Sequence, residues 1–315
     1  KFLRAGDRVA IKPHASPAFH AVQYLMGRLG AEHLPTLRQF GGLQAYPSRT
    51  KDPDPVDFST GSVGLGAAAP AFAALVDRYV LDHFGPDVGK RGERHARRFV
   101  AVIGDAELDE GNIWEAVTED HLQGLSNLVW IVDLNRQSLD RVIPGIRAQQ
   151  LEAIFTASRW NVIEVKYGRR LKALFARPGG EALRRRIDQM SNQEYQATIR
   201  LPGEQCRAYL LQDAADARDI EQALSQVSDA DLPGVLSDLG GHDLVELLGA
   251  LEQATSQTHG PSVIFAYTIK GWGLPIAGHP LNHSALLTAE QLEALRKKLQ
   301  VPADNPWPCF DESTL

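Results

Sequence analysis

The chain has 315 residues, a net charge of −6, 43% hydrophobic and 23% charged residues, the balance of an ordinary globular protein with room for a sizeable core. The negative balance argues against nucleic acid or an anionic membrane as the main partner, and no apolar run approaches the ~20 residues of a membrane span. Cys206 and Cys309 are the only cysteines, so neither a disulfide framework nor a thiolate metal site has support, and a reducing cytoplasm is the default compartment. The opening "KFLRAGDRVAIKPH" has no initiating Met and no apolar signal core, and the start reads as an internal cut.

In chain order, His14 comes first, followed by "ASP" and a helical pattern. "KDPDPVDFSTGSVGLGAAAP" (51–70) reads as a loop, a glycine-rich turn and an alanine run that opens a helix. "KRGERHARR" (90–98) reads as a solvated loop before a strand. Four apolar runs follow: "FVAVI" (99–103), "LVWIVDL" (128–134), "NVIEV" (161–165) and "SVIFAYTI" (262–269). Such runs, rich in branched residues and lacking polar alternation, predict strands buried on both faces of a mostly parallel sheet covered by helices. Between the first two, "NIWEAVTEDHLQGL" predicts a crossover helix with Ile113, Val117 and His121 on one side and Gly124 as its stop. "GRRLKALFARPGGEALRRRIDQM" is amphipathic and basic, and Ser191 to Gly241 is polar and helical in pattern. The expectation is one α/β domain over residues 1–315 with a helical excursion at about 170–245.

The chemistry gathers where strands end. "AVIGDAELDEGN" runs from apolar residues into Asp105, Glu107, Asp109 and Glu110, a density of carboxylates that is costly without a positive partner. In an open parallel sheet, ligands sit beyond the carboxyl ends of the strands. Asp105 lies just past one predicted strand and Asn135 just past the next, about thirty residues on, so one strand–helix–strand unit can bring them together. A carboxylate, an amide oxygen and a backbone carbonyl make half of the octahedral oxygen shell that Mg²⁺ favours, with substrate phosphates and water completing it. The alternative is structural, with Asp as a helix cap and Asn as a turn former. A calcium loop of the EF-hand kind fails, because Glu110 stands where Gly is needed and a strand precedes it.

The segments "GDRVAIKPHASPAFHAVQYLMGRL", "GGLQAYPSRTKDPDPVDFSTGSVGLG", "GDAELDEGN", "DLNRQSLD", "RWNVIEV", "SNQEYQ", "GGHD" and "YTIKGWG" occur in that order. Together they resemble the homodimeric pyruvate dehydrogenase E1 component and its 2-oxobutyrate dehydrogenase-like relatives, within the transketolase superfamily. The likeness runs from about Arg4 to about Pro306. It implies a thiamine diphosphate-binding fold, specifically the diphosphate-binding domain, with thiamine diphosphate and Mg²⁺ as cofactors. The implied metal ligands are Asp105, Asn135 and the main-chain carbonyl of Gln137. Ala106 stands where the family's motif has a second Gly, which is tolerable if the backbone there is not at positive φ.

The resemblance further assigns Gly61, Ser62, Val63, Gly104, Ala106 and Glu107 to the cofactor, with His14 and Lys270 facing the diphosphate. Outside that context, "STGSVGLG" would be a plain turn and His14 a surface residue. His14 and Tyr46 take catalytic places by this likeness; "LPIAGHPLNHSALL" reads as a loop over the site in which His279 or His283 assists the substrate, with His283 the catalytic candidate. His242 is read as structural, with Asp243 capping the next helix. The implied activity is oxidative decarboxylation of pyruvate or 2-oxobutyrate, passing the acyl fragment to a lipoyl acyltransferase. The implied working form is a homodimer, or a pair with a companion chain that carries the pyrimidine-binding domain and its Glu. By this reading the chain is inactive alone. Two rivals are a transketolase-type ketol transfer and a non-catalytic cofactor-binding fragment. Tyr46, where transketolases carry His, favours the first reading over the ketol transfer.

Overall fold

The computed structural model describes residues 3–85, 97–135, 137–138, 141–142 and 148–308. In chain order the elements begin with β1 (Arg8–Ala10), α1 (Ser16–Leu25), α2 (Leu65–Phe84), β2 (Phe99–Gly104), α3 (Gly111–Val117) and β3 (Leu128–Leu134). A two-residue hairpin of β4 (Gln137–Ser138) and β5 (Arg141–Val142) leads to α4 (Ala148–Ala157) and β6 (Asn161–Val165). Six short helices come next: α5 (Arg169–Phe175), α6 (Gly180–Gln189), α7 (Asn192–Thr198), α8 (Gly203–Leu211), α9 (Ala217–Leu224) and α10 (Leu232–Leu236). The chain closes with α11 (Leu244–Ser256), β7 (Ser262–Tyr267) and α12 (Ala289–Lys298).

Five strands form one sheet in the order β1-β2-β3-β7-β6, and every pairing in it is parallel. Successive residues of each strand feed opposite faces. Phe99, Ala101, Ile103, Leu128, Trp130, Val132, Val263 and Phe265 join the larger core with α2, α3 and α4. Val100, Val129, Ile163, Val165 and Ile264 meet Ala250 and Ala254 of α11 on the other face. Helices therefore cover both faces, as the continuous apolar runs require. On the larger side, Phe155 of α4 has no exposed surface and meets the rings of Trp130, Trp160 and Phe265 edge-on at 5.4–6.0 Å.

Two local readings need correction, of the crossover helix and of the solvated loop, and the basic segment after β6 gains detail. The predicted crossover helix ends at Val117, and a single 3₁₀ turn (Asp120–Leu122) follows, so His121 is exposed and its imidazole pairs with Glu119 at 2.6 Å. The long basic pattern after β6 is two helices, broken where Gly179 takes φ 81° against the backbone of Asp219. Of "KRGERHARR", residues 90–96 lie outside the described residues. Arg98 within it is far from solvated, since its guanidinium binds Asp7 at 2.8 Å with 12% of the side chain exposed. Among the described residues no helix is long and apolar enough to cross a membrane.

Phe155→Ala is expected to lower stability by about 3–5 kcal/mol, because it empties the centre of an aromatic cluster. The denaturant midpoint followed by tryptophan fluorescence checks this. A loss below about 1 kcal/mol would mean that the surrounding rings collapse into the space.

Candidate functional site

Parallel register decides what meets at the carboxyl edge of the sheet. Gly104 lies opposite Asp133, and Leu134 opposite Tyr267. The residues just beyond these strands, Asp105, Asn135 and Thr268, therefore share one edge, and the chain leaving β1 adds Lys12 and His14. Lys12 makes an ion pair with Asp133, whose other oxygen accepts the Thr268 hydroxyl. Burial pushes the Asp133 carboxyl up, but Lys12, Thr268 and Asn135 outweigh it and hold it below the ordinary carboxylate range.

The acidic turn folds back on its own strand end. Ala106 N–H donates to Asp105 Oδ1 at 3.0 Å, and Gly104 N–H donates to Glu107 Oε1 at 3.1 Å. Ala106 is not among the residues at positive φ, so its methyl group meets no backbone strain. Glu107 is 6% exposed. Burial raises its carboxyl above the usual range, opposed by the Gly104 N–H and the Lys12 charge. Its Oε2 is buried beside the Gly64–Gly66 turn and makes no hydrogen bond of ordinary geometry.

The glycine-rich turn packs against this acidic one. Asn112 Nδ2 donates to the Val63 carbonyl at 2.9 Å. Gly64 has φ 81°, and a Cβ there would lie 2.1 Å from Asn112 Oδ1, so glycine is required on both counts. Gly61 and Ser62 are half-buried, and Val63 leaves 49% of its surface exposed at the site.

A positive group stands close by. Lys270 Nζ lies 2.7 Å from His283 Nδ1, the His283 and His14 rings are 5.4 Å apart, and the Tyr46 ring meets His14 edge-on at 6.1 Å. Burial lowers the His14 pKa, and so do the charges of His283, Lys12, Lys270 and Arg38. A cavity of about 500 Å³ opens beside Tyr46, lined also by Arg38, Leu43 and Gln44. His14, Tyr46, His283 and Lys270 thus form one contact group, while Gly61, Ser62, Val63, Gly104, Asp105, Ala106 and Glu107 form the facing pair of turns. Lys12 links the two groups. Asn135 is buried at 6% exposure, and its carbonyl accepts from Gln196 Nε2 at 3.3 Å. Only the backbone of Gln137 is described; it pairs with Val142. His279 Nδ1 accepts its own loop's Leu281 N–H at 3.1 Å.

His242 stacks on Trp272 (4.6 Å, 11°) and its Nε2 accepts the Ile269 N–H at 2.8 Å, while Asp243 caps α11 by accepting the Val245 N–H at 3.0 Å. Sequence reasoning gave no role to Lys12, Asp133 or Thr268, nor to the anchor beneath Tyr46. That anchor is a buried pair, His20 Nδ1 and Asp54 Oδ2 at 2.9 Å. Near it Asp52 accepts the Gln44 and Ser48 N–H groups, and Ser16 Oγ donates to Ala45 O. A histidine and two aspartates beside the Tyr46 segment were the available signal. These contacts fix the loop that carries Tyr46 against α1.

The donor set fits Mg²⁺ and a diphosphate. Oxygen donors stand on adjacent strand tips, and the Lys270 ammonium against His283 offers a positive charge suited to an anion. The family described as Transketolase, thiamine diphosphate binding domain, matches residues 5–177 and 222–312. The chain belongs to that family. It is 30% identical over 305 residues to the pyruvate dehydrogenase E1 component of Pseudomonas aeruginosa, covering 94% of this chain and 33% of that protein. The Mycobacterium tuberculosis pyruvate dehydrogenase E1 component is 32% identical over 310 residues, covering 95% and 32%. Among solved structures, a Pichia stipitis transketolase mutant superposes with TM-score 0.63 at 18% identity over 98% of this chain and 35% of its own. A Leishmania mexicana transketolase gives 0.63 at 19% over 97% and 35%. These structural likenesses show the fold. The chain spans about a third of the length of the curated relatives it matches.

The surroundings of His242 set a pH dependence for this domain. Burial pushes the His242 pKa down to about 4, against an opposing pull from Asp133. The unfolded chain binds the proton at about 6.5. Between these values only the unfolded state is charged at this position, so stability falls as pH drops from about 6.5 to about 4. His242→Gln is expected to flatten part of that slope, read as urea midpoints at neutral pH and at about pH 5. Equal slopes in parent and variant would remove His242 as a cause.

Proposed function

We propose that this chain is the diphosphate-binding part of an E1-type 2-oxo acid dehydrogenase component. In this reading the assembled enzyme decarboxylates pyruvate or 2-oxobutyrate and passes the acyl fragment to a lipoyl group on an acyltransferase. One observation carries the reading: Lys12, His14, Lys270 and His283 converge, and Lys12 also acts on Glu107 of the acidic turn. The names of the sequence relatives favour the E1 role, and Tyr46 beside His14 suits it.

Asp105, Asn135 and the Gln137 carbonyl are the oxygens offered to Mg²⁺. Lys270 supplies positive charge, and His14 a hydrogen bond, to the diphosphate. Residues 61–63 present backbone groups and the exposed Val63 surface to the ring system. Bound thiamine diphosphate supplies the electron sink that decarboxylation of a 2-oxo acid needs. The protein's part is then to orient, to exclude water and to hold protons. His14 is kept neutral more readily than an ordinary imidazole by burial and its charged neighbours, which suits a proton acceptor beside the reacting carbonyl. Tyr46 and His283 border the same space, next to the cavity that would admit a small acid.

The acid that engages the aminopyrimidine belongs, in this proposal, to a partner: a second copy of a longer chain or a companion chain. Two facts support a partner. The relatives are about three times as long, and α2 leaves Leu65, Phe72, Val76 and Tyr79 exposed, more apolar surface on one helix than a solitary domain favours. Release of CO₂ from pyruvate and 2-oxobutyrate tests the reading. Turnover is expected only with the partner segment, thiamine diphosphate and Mg²⁺. Decarboxylation without the cofactors, or a preference for sugar phosphates, would overturn it.

Asp105→Ala is expected to weaken Mg²⁺-dependent cofactor binding by roughly 10- to 100-fold, measured by titration calorimetry; parental affinity would remove Asp105 from the site. Lys270→Met is expected to raise the cofactor's dissociation constant, most at low ionic strength where screening is weak. Saturating cofactor should then restore most of the rate. A rate that stays low at saturation would assign Lys270 a chemical role.

A further inference from the structure

Asp133 stands under Asn135 and is held from both sides. Lys12 comes from the chain leaving β1 and pairs with Asp133 Oδ2, while Thr268, one residue past β7, donates its hydroxyl to Oδ1. The Lys12 and Asp133 side chains keep 17% and 22% of their surfaces exposed. Asn135, two residues on and 6% exposed, donates its Nδ2 to Asp133 Oδ2 at 3.4 Å. Three strand ends are thus tied to one carboxylate.

An amide has two ends of nearly the same shape, and its hydrogen-bond partners decide which end points where. A carboxylate only accepts, so it selects the amide nitrogen. With Nδ2 turned to Asp133, Oδ1 is the end that faces away from it, and an oxygen is what a hard cation needs. Lys12 has a second effect. By pairing with Asp133 it keeps that carboxylate from competing as a ligand in its own right.

We propose that Asp133, clamped by Lys12 and Thr268, is a positioning residue that sets the Asn135 amide with its oxygen toward the bound divalent ion. The inference rests on the Mg²⁺ reading given above, and its test separates the two. An amide at position 133 can donate as well as accept, so it no longer selects one end of Asn135. Losing Lys12 leaves the acceptor in place and frees a negative charge near the cation. The two changes therefore weaken Mg²⁺ affinity to different extents, whereas general damage to the strand ends would weaken it equally in both.

The experiment is Mg²⁺ titration calorimetry at saturating thiamine diphosphate on the assembled full-length protein, for the parent, Asp133→Asn, Lys12→Met and Asp105→Ala. Melting temperatures without ligands confirm that each variant is folded at the temperature of titration. Asp133→Asn is expected to raise the Mg²⁺ dissociation constant by about 10-fold or more, and Lys12→Met to raise it clearly less, because the acceptor for Asn135 stays in place. Parental affinity in Asp133→Asn with loss in Asp105→Ala would overturn the positioning role and keep the metal site. Equal weakening in Asp133→Asn and Lys12→Met would overturn it in favour of a purely structural triad. Parental affinity in Asp105→Ala would remove the metal site, and the positioning role with it.

Discussion

Parallel pairing of β1, β2, β3 and β7 in a fixed register is the constraint on which everything at the site depends. A one-residue slip of a strand sends every side chain to the other face, and here each face packs its own set of residues in its own core. The register therefore holds Gly104 opposite Asp133 and Leu134 opposite Tyr267. Four chain segments leave the same edge at neighbouring points, and they bring Lys12, Asp105, Asn135 and Thr268 with them. Residues scattered over more than 250 positions in the sequence become neighbours through backbone hydrogen bonds alone.

That edge collects charges of both signs, and the way each is held differs. Asp133 is neutralised inside the protein by Lys12. Glu107 is buried with the Gly104 N–H on one oxygen, and burial raises its pKa against the pull of backbone N–H groups and Lys12. His14 is lowered by burial and by its positive neighbours. A buried acid, and a histidine pushed toward its neutral form by burial and nearby charge, each give up stability. Such placements concentrate at functional sites.

The strands were legible because their signal is local. The bounds of β3 and β6 coincide with the apolar runs that predict them, and β2 extends its run by one residue. β1 was not legible: its three residues include Arg8, and only its pairing with β2 makes them a strand. The break between α5 and α6 falls at Pro178-Gly179-Gly180, a breaker written in the sequence itself. At the site, the turn residues could be read from glycines and carboxylates. Lys12, Asp133 and Thr268 could not, because each is ordinary in its own segment and acquires a role only from register. The same holds for His20 and Asp54, 34 residues apart and joined only after α1 docks on the loop.

α2 shows how one helix serves the core and the site together. Ala67, Ala68, Ala71 and Ala74 line its inner face, and side chains this small let the helix axis approach the sheet closely. Close approach is what seats its first turn, Gly64 to Gly66, against Glu107 and Asn112. Larger residues on that face would lift the helix and carry the glycine-rich turn away from the acidic one. Its outer face shows the opposite choice, with Leu65, Phe72, Val76 and Tyr79 open to solvent. A partner packed on those side chains would press the helix toward the sheet, along the direction that keeps the two turns together. Stability at the inner face and assembly at the outer one would then act on the same geometry, the spacing between residues 61–66 and 104–112.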